Sequence, residues 1–357
     1  QSVHRVRIIQ DADVAFLQGK VTISSATESE LAQDCLDFTG DGAWNIRLTD
    51  QVISVLNRVQ EQSRSLKDLA DIKRGLVTGN RAMYFSDQRV DDRWHPVLTG
   101  GDIDRYSAQD PEEYVLFERP KAAGGCWDAE VHFHPRKLVM RQIGSFPRVA
   151  IDLDKRCFTV NVFAIVVREV LDPFYVLTIL NSSLVRSTWA LLFQDFKVSF
   201  TELKAVHIGQ LPVRCFETST PMDTRAELLN KGKHLYGICT TNDEQDCVIS
   251  FVENQLGQIP EGADVVHDLL AYLAKQMVDL HKKRQRLGDE ASLFRFVDPG
   301  TSCQRLEKAL GGPLGVGEIV GDMSAVRHDI EGLRLSQEAD GHWLLEVRAK
   351  LRDPDSG

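Results

Sequence analysis

A chain of 357 residues that is 43% apolar, with 42 basic against 52 acidic side chains, can fold into two or three globular domains. Its strongest apolar run, Val160 to Leu180, is cut by Arg168, Glu169 and Asp172, so it falls short of the roughly 20 uncharged residues a membrane helix needs and no membrane partner is expected. The cysteines (Cys35, Cys126, Cys157, Cys215, Cys239, Cys247, Cys303) never sit two or three apart, which argues against a zinc ribbon and a secreted disulfide framework and predicts reduced thiols in a cytoplasmic protein. A net charge of −10 speaks against nucleic acid on average, yet residues 71–216 hold 19 basic and 18 acidic side chains while residues 217–357 hold 16 and 24. The acidity is concentrated at the C-terminal end. Gln1 opens close to an expected strand with no leader pattern, and the chain reads as a piece of something longer.

In chain order, short strands are expected at Arg5–Ile9 and Trp44–Leu48, followed by a helix from about Asp50 to Gln62, with Asp50 as its cap and Val52, Ile53, Val55, Leu56 and Val59 on its apolar face. From residue 66 the pattern becomes β-like, with strands at Tyr114–Phe117, Lys137–Ile143, Arg148–Leu153 and Phe158–Val167. One helix interrupts them, starting at Asp172-Pro173 and continuing through Leu191. After Pro221 the chain turns helical, and between Gly262 and Gly288 the stripe Val266, Leu269, Leu270, Leu273, Met277, Leu280 predicts a helix buried against another. The fold class is therefore α+β: a connector (1–65), a mixed and mostly β domain (66–216), and a helical tail with an extension (217–357).

Catalytic patterns are mostly missing. None of the 12 prolines adjoins another, so the Asn/Asp-Pro-Pro-aromatic loop that grips a flipped base in amino-methylating enzymes is absent. Phe38–Trp44 has glycines but no preceding apolar strand, and it reads as a turn rather than a cofactor loop. Asp195-Phe196-Lys197 and Glu202-Leu203-Lys204 spell a nuclease-like acid-x-Lys, at a frequency chance explains. His132 and His134 could share a strand face, but nothing nearby completes a metal site, and none is expected. The basic run Lys282–Arg286 is accounted for by the dipole at a helix C-terminus, with DNA contact as the alternative.

The segment Arg119 to Arg148 stands out. Arg119, Lys121, Arg136, Lys137, Arg141 and Arg148 face only Asp128 and Glu130, with Trp127, His132, His134 and Phe146 between them. Basic side chains neutralise phosphates, and Arg or Gln on a loop can pair with base edges. On this reading Arg141, Gln142 and Arg148 around Gly144-Ser145 read bases, with Phe146 as a wedge, while Lys121, Arg136 and Lys197 hold phosphates. Gly75, Gly79 and Asn80 form a turn with positive φ beside Arg81, and Gly100-Gly101-Asp102 a second turn before Arg105 and Tyr106. Asn80, Arg81 and Arg105 complete the candidate DNA-binding set. Asn181, inside an apolar helical pattern, either packs on the domain's own backbone or offers a polar face to DNA.

Motif order adds to this. LADIKRGLVTGNRAMYF (69–85), PVLTGGDIDRY (96–106), ERPK (118–121), KLVMRQIG (137–144) with ID (151–152), NVFAIV (161–166), YVLTILNSSL (175–184) and LPV (211–213) occur in that sequence. Together they resemble the TaqI-like specificity domain that follows the adenine methyltransferase domain in type IIG restriction-modification enzymes and related phage-defence methylases. The resemblance covers about residues 66–216; the stretch before it resembles the connector, and the helix near 264–287 the helical tail, of such enzymes. It implies recognition of double-stranded DNA for an adenine-N6 methyltransferase or restriction enzyme. No cofactor is expected in this chain; S-adenosylmethionine belongs to a catalytic domain or subunit elsewhere, so the chain alone is not expected to be an enzyme. The alternative is a protein-interaction scaffold of a phage-defence complex.

Overall fold

The computed structural model describes residues 5–10, 13–17, 20–24, 27–35, 48–168, 171–193, 202–242, 246–292, 328–337 and 343–351. They fall into two compact units, 1–285 and 286–357. The expected strand Trp44–Leu48 lies, apart from Leu48, outside the described residues, as do Phe38–Trp44 and Asp195-Phe196-Lys197.

The first unit opens with two antiparallel pairs, β1 (Arg5–Gln10) with β4 (Thr27–Ala32) and β2 (Asp13–Leu17) with β3 (Lys20–Ser24). Helix α1 (Asp50–Glu61) follows; its cap is Thr49, not Asp50, because the Thr49 hydroxyl accepts from Val52 N at 3.2 Å. Ile53 and Leu56 bury its apolar face against Leu31 and Leu48, whereas Val55 stays half exposed. Strand β5 (Ser63–Ser65) then leads into α2 (Leu66–Leu69) and β6 (Ala70–Arg74).

Two sheets form the central part. One contains β7 (Phe85–Ser86), reached through the short α3 (Arg81–Tyr84), then β8 (Trp94–Leu98), β10 (Tyr114–Leu116) and β13 (Cys157–Phe158), in the order β13-β8-β10-β7. The other contains β9 (Tyr106–Ser107), β11 (Lys137–Arg141), β12 (Val149–Asp152) and β14 (Val162–Val167), in the order β6-β14-β11-β12-β9. It is antiparallel except where β12 meets β9. Side chains alternate across its faces as the period of two requires. Leu138, Met140, Val149, Ile151, Phe163 and Ile165 pack into the main core, while Val139, Ala150, Val162 and Ala164 face Leu98, Ile103 and Phe158. Each such buried side chain contributes roughly 1.5–3 kcal/mol before entropy is counted.

Close approach fixes two glycines. A Cβ on Gly75 would lie 2.1 Å from the Thr159 carbonyl oxygen, and Gly79 has φ +75°. Asn80 does not share that conformation: at φ −133° it caps α3, its side-chain oxygen accepting from Met83 N. The expected strand pair of His132 and His134 is also absent, because His132 ends the short helix α4 (Ala129–His132).

The helix expected from Asp172 to Leu191 is two helices, α5 (Pro173–Leu180) and α6 (Ser183–Leu192), broken at Asn181-Ser182. Asn181 is buried and pins the break to β12: its amide donates to Val149 O at 2.8 Å and its oxygen accepts from Val149 N at 3.2 Å. Helix α7 (Ala205–Gly209) and β15 (Pro212–Arg214), which pairs with β5, close this part.

Three longer helices follow: α8 (Met222–Asn242), α9 (Asp246–Leu256) and α10 (Ala263–Ser292). Cys239 and Cys247 form a disulfide between α8 and α9, which corrects the expectation of reduced thiols for that pair. Helix α10 packs on two sides. Leu269, with Val265, meets Phe251 and Leu228, while Ala271, Ala274 and Val278 join the core under α5. Leu280, expected in the stripe, is 53% exposed. His267 fixes the register of this docking: its Nε2 accepts the Asp172 backbone N–H at 3.2 Å and its Nδ1 donates to Asp268 at 2.9 Å.

The second unit contains the end of α10 and a hairpin of β16 (His328–Gln337) and β17 (Trp343–Leu351), with an irregularity between Ile330 and Gly332. No helix among the described residues is long and apolar enough to cross a membrane.

Candidate nucleic-acid interface

The loop between β11 and β12, residues 142–148, is built from its ends. Gln142 continues β11 through backbone bonds, its N–H to Asn161 O and its carbonyl accepting from Leu203 N, both at 2.8 Å. Its side chain is 6% exposed, and its amide oxygen accepts from Arg74 at 3.1 Å. Gln142 is therefore an internal anchor of the loop, which corrects its expected place as a base reader. Arg141 turns outward at the same point. Its Nε donates to Ile143 O at 2.7 Å, and with Thr99, Gly100, Gly101, Ile143 and Asn161 it lines an open cleft of about 320 Å³.

Phe146 lies at the centre of the loop, half-buried, with three guanidinium groups over its ring: Arg186 at 4.2 Å, Arg148 at 5.2 Å and Arg105 at 5.6 Å. Such contacts contribute about 0.5–1 kcal/mol each at exposed positions and hold like charges together around one aromatic face. Three elements supply them. Arg148 follows Pro147 at the start of β12, and Arg186 stands on the exposed side of α6, whose start is capped by Ser182. Arg105 precedes Tyr106, which has φ +70° and follows a turn closed by the Asp102 carboxylate on Thr99 N (2.6 Å) and Thr99 Oγ1 (2.8 Å).

Helix α10 borders the cluster. His281 lies 5.1 Å from the Tyr106 ring, Arg284 is 3.7 Å from Asp104, and Gln285 donates to Ser107 O at 3.4 Å. Burial and the nearby Arg284 hold the His281 imidazole below its ordinary pKa. Asp104 also reaches Arg148, at 3.4 Å.

Arg105, Arg141 and Arg148 are thus placed near one another on this loop and its neighbours, whereas Asn80, Arg81 and Arg136 make their contacts with other parts of the fold. Arg81 pairs with Glu113 beside the other sheet and covers the Phe85 ring at 4.3 Å. Arg136 precedes the opposite end of β11, roughly 16 Å from Arg141 at strand rise, and pairs with Asp172 at 2.9 Å. Lys121 is exposed on the loop after β10, and Lys197 lies outside the described residues. Arg186 and Asp104 are not among the expected residues, and Arg284 belongs to the basic run Lys282–Arg286, for which DNA contact is the alternative expectation. For Arg186 the available signal was a cation on the polar side of an apolar helical pattern; Asp104 and Arg284 are brought together by the fold alone.

Two groups that looked chemical are structural. Lys137 is fully buried; its Nζ donates to Asp152 and to His132 O, both at 2.5 Å, and Arg156 Nε donates to Asp152 at 2.9 Å. Burial would raise the Asp152 pKa, but Lys137 and Arg156 hold it below the ordinary carboxylate range. His132 stacks on Phe158 at 4.1 Å and bonds Cys126 O at 2.9 Å, and burial lowers its pKa to about 4. Among the described residues no group of three or more His, Cys, Asp or Glu is placed to hold a metal ion.

Residues 95–213 match the family model of the TaqI-like C-terminal specificity domain. No curated protein sequence is detectably similar to the chain. Among solved structures, the HsdS subunit from Thermoanaerobacter tengcongensis aligns at 12% identity over 64% of this chain and 50% of that one, with a TM-score of 0.29. A structure of complex assembly and conformational transition in the type I R-M system aligns at 12% identity over 71% and 60%, with a TM-score of 0.32. The chain therefore spans only 50% and 60% of those two, and scores this low carry no argument. Arg105, Arg141, Arg148 and Arg186, gathered at the 142–148 loop, all lie within residues 95–213, the segment that matches the TaqI-like C-terminal specificity domain.

Proposed function

We propose that this chain supplies sequence-specific recognition of double-stranded DNA to a restriction-modification or adenine-N6 methylating enzyme, whose catalytic domain or subunit binds S-adenosylmethionine and transfers the methyl group. One observation carries the reading: of the four arginines in residues 95–213 that have no carboxylate partner among the described residues, Arg105, Arg141 and Arg186 collect at one loop, and the fourth, Arg119, is exposed after β10. Within that segment Arg136, Arg156 and Arg168 are each neutralised by a neighbouring Asp, whereas Arg105, Arg141 and Arg186 are not. Guanidinium groups left free are available to phosphate oxygens and base edges. Within the cluster, Arg141 beside its cleft is assigned to base reading, and Arg105, Arg148 and Arg186 around Phe146 to the backbone. Helices α8 to α10 and the connector are assigned to docking on the catalytic partner.

Selection from a random duplex pool by the full chain, at low salt, tests this. An enriched motif that Arg141→Ala removes is the expected result. Salt-insensitive capture with no motif by a folded protein would overturn it in favour of an interaction scaffold.

A further inference from the structure

We propose that Asp104 is a resident anion of the cationic cluster, its carboxylate holding in the free protein the place that a DNA phosphate takes in the complex. The inference rests on the DNA-recognition reading above. Asp104 joins arginines of two different elements: one carboxylate oxygen lies 3.4 Å from Arg148 at the start of β12, the other 3.7 Å from Arg284 on α10. Both distances exceed those of tighter pairs elsewhere, such as 2.6 Å for Arg225–Asp268 and 2.9 Å for Arg136–Asp172. Its side chain is 42% exposed, so water competes for it and it is not locked by burial. Among the described residues, it is the one carboxylate within ion-pair distance of the arginines around Phe146. Arg105 and Arg186, over the same ring, have no carboxylate of their own.

A phosphate diester presents its charge on two unesterified oxygens and can be approached by several guanidinium groups at once. Its arrival exchanges a weakly held internal anion for a stronger external one and releases Arg284, so α10 joins the DNA-facing surface. The exchange costs the same on every sequence. It therefore lowers affinity for all duplexes by the same factor, so that tight binding needs the added contacts Arg141 makes on the correct sequence; Asp104 sets the affinity threshold, not the preference between sequences, through charge alone.

The test is duplex binding by the full chain, followed by fluorescence anisotropy across a salt series, for the wild type, Asp104→Asn, Asp104→Ser, Arg186→Ala and Asp92→Asn. Asp92 pairs only with Arg89 among the described residues, and its substitution makes the same net-charge change outside the cluster. Both Asp104 variants should bind random duplex about three- to tenfold tighter at low salt, and Asp92→Asn should stay within about twofold of the wild type. Unchanged or weaker binding by folded Asp104 variants, with Arg186→Ala still impaired, would overturn the resident-anion proposal and leave DNA recognition standing. No salt-dependent binding by the wild type would remove both.

Discussion

Replacing Asp152 by Asn should cost this protein about 3–5 kcal/mol of stability, because it breaks a buried ion cluster while leaving its cations in place. The structure sets that magnitude. One carboxylate oxygen accepts from Lys137 Nζ at 2.5 Å and Arg156 N at 2.9 Å; the other accepts from Arg156 Nε at 2.9 Å and Asp154 N at 3.2 Å. An amide turns one of these acceptors into a donor, so whichever way it rotates, two N–H groups lose a partner. With the amide nitrogen turned toward it, Lys137, which has no exposed surface, would retain only His132 O; turned the other way, Arg156 Nε and Asp154 N lose their acceptor. The loss is comparable to a large part of the roughly 5–15 kcal/mol that holds a domain folded. Urea unfolding at neutral pH, followed by circular dichroism, measures it. The companion variant removes the whole cluster at once, Lys137→Met with Asp152→Leu and Arg156→Met. It should recover at least half of the loss, because apolar side chains of similar volume carry no desolvation penalty. A cost below about 1 kcal/mol for Asp152→Asn, or a triple variant less stable than the single one, would refute the assignment of this cluster as paired buried charge.

Three further outcomes are expected. His132, buried with its pKa lowered to about 4 from 6.5, stays neutral while the unfolded chain takes up a proton, so its contribution is intact above pH 6.5 and falls as the pH drops toward 4. Relative to His132→Phe, the wild type should therefore lose up to about 3 kcal/mol over that window, read from urea midpoints. Asn181→Ala should cost about 2–3 kcal/mol by leaving both Val149 backbone groups unpaired, and hydrogen exchange at Val149 should accelerate. Leu269→Ala should cost about 2–5 kcal/mol and Leu280→Ala less than about 0.5, measured by thermal melting; equal effects would contradict the packing of α10.

What could be read beforehand divides by the range of the interaction. The β11, β12 and β14 strands carry β-branched and apolar runs bounded by Gly and Pro; the structure places β11 and β12 within one or two residues of the expected limits, whereas β14 starts four residues late, at Val162, and Phe158 belongs to β13. The Asp172-Pro173 helix start is local chemistry too, the carboxylate accepting from Phe174 N at 2.8 Å. The break at Asn181 was not legible, because an apolar stripe runs through it and the deciding partner, Val149, is 32 residues away. Gln142 was misplaced for the same reason: its amide is bound by Arg74 from a different strand. Leu280 continues the stripe of α10 by spacing, but the surface under the helix ends near Val278. The Cys239–Cys247 pairing depends on how α8 and α9 fold back, which spacing did not reveal.

The candidate site shows a similar division. Composition pointed to residues 119–148, but the fold redistributes those cations according to which find an anion. Lys137 is internal, Arg136 is held by Asp172 at the far end of β11, and Arg148 has only the longer contact to Asp104. A count of basic residues cannot separate these cases, since a neutralised arginine and a free one contribute equally to net charge. What marks a face for a polyanion is positive charge left uncompensated after folding, and here that charge includes Arg186, from a helix whose apolar pattern drew attention away from it. The negative total of the chain does not oppose this, because interactions beyond a Debye length of about 8–10 Å are largely screened at physiological salt. DNA bound at the 142–148 loop would sense the arginines around Phe146 far more strongly than the acidic residues elsewhere in the chain.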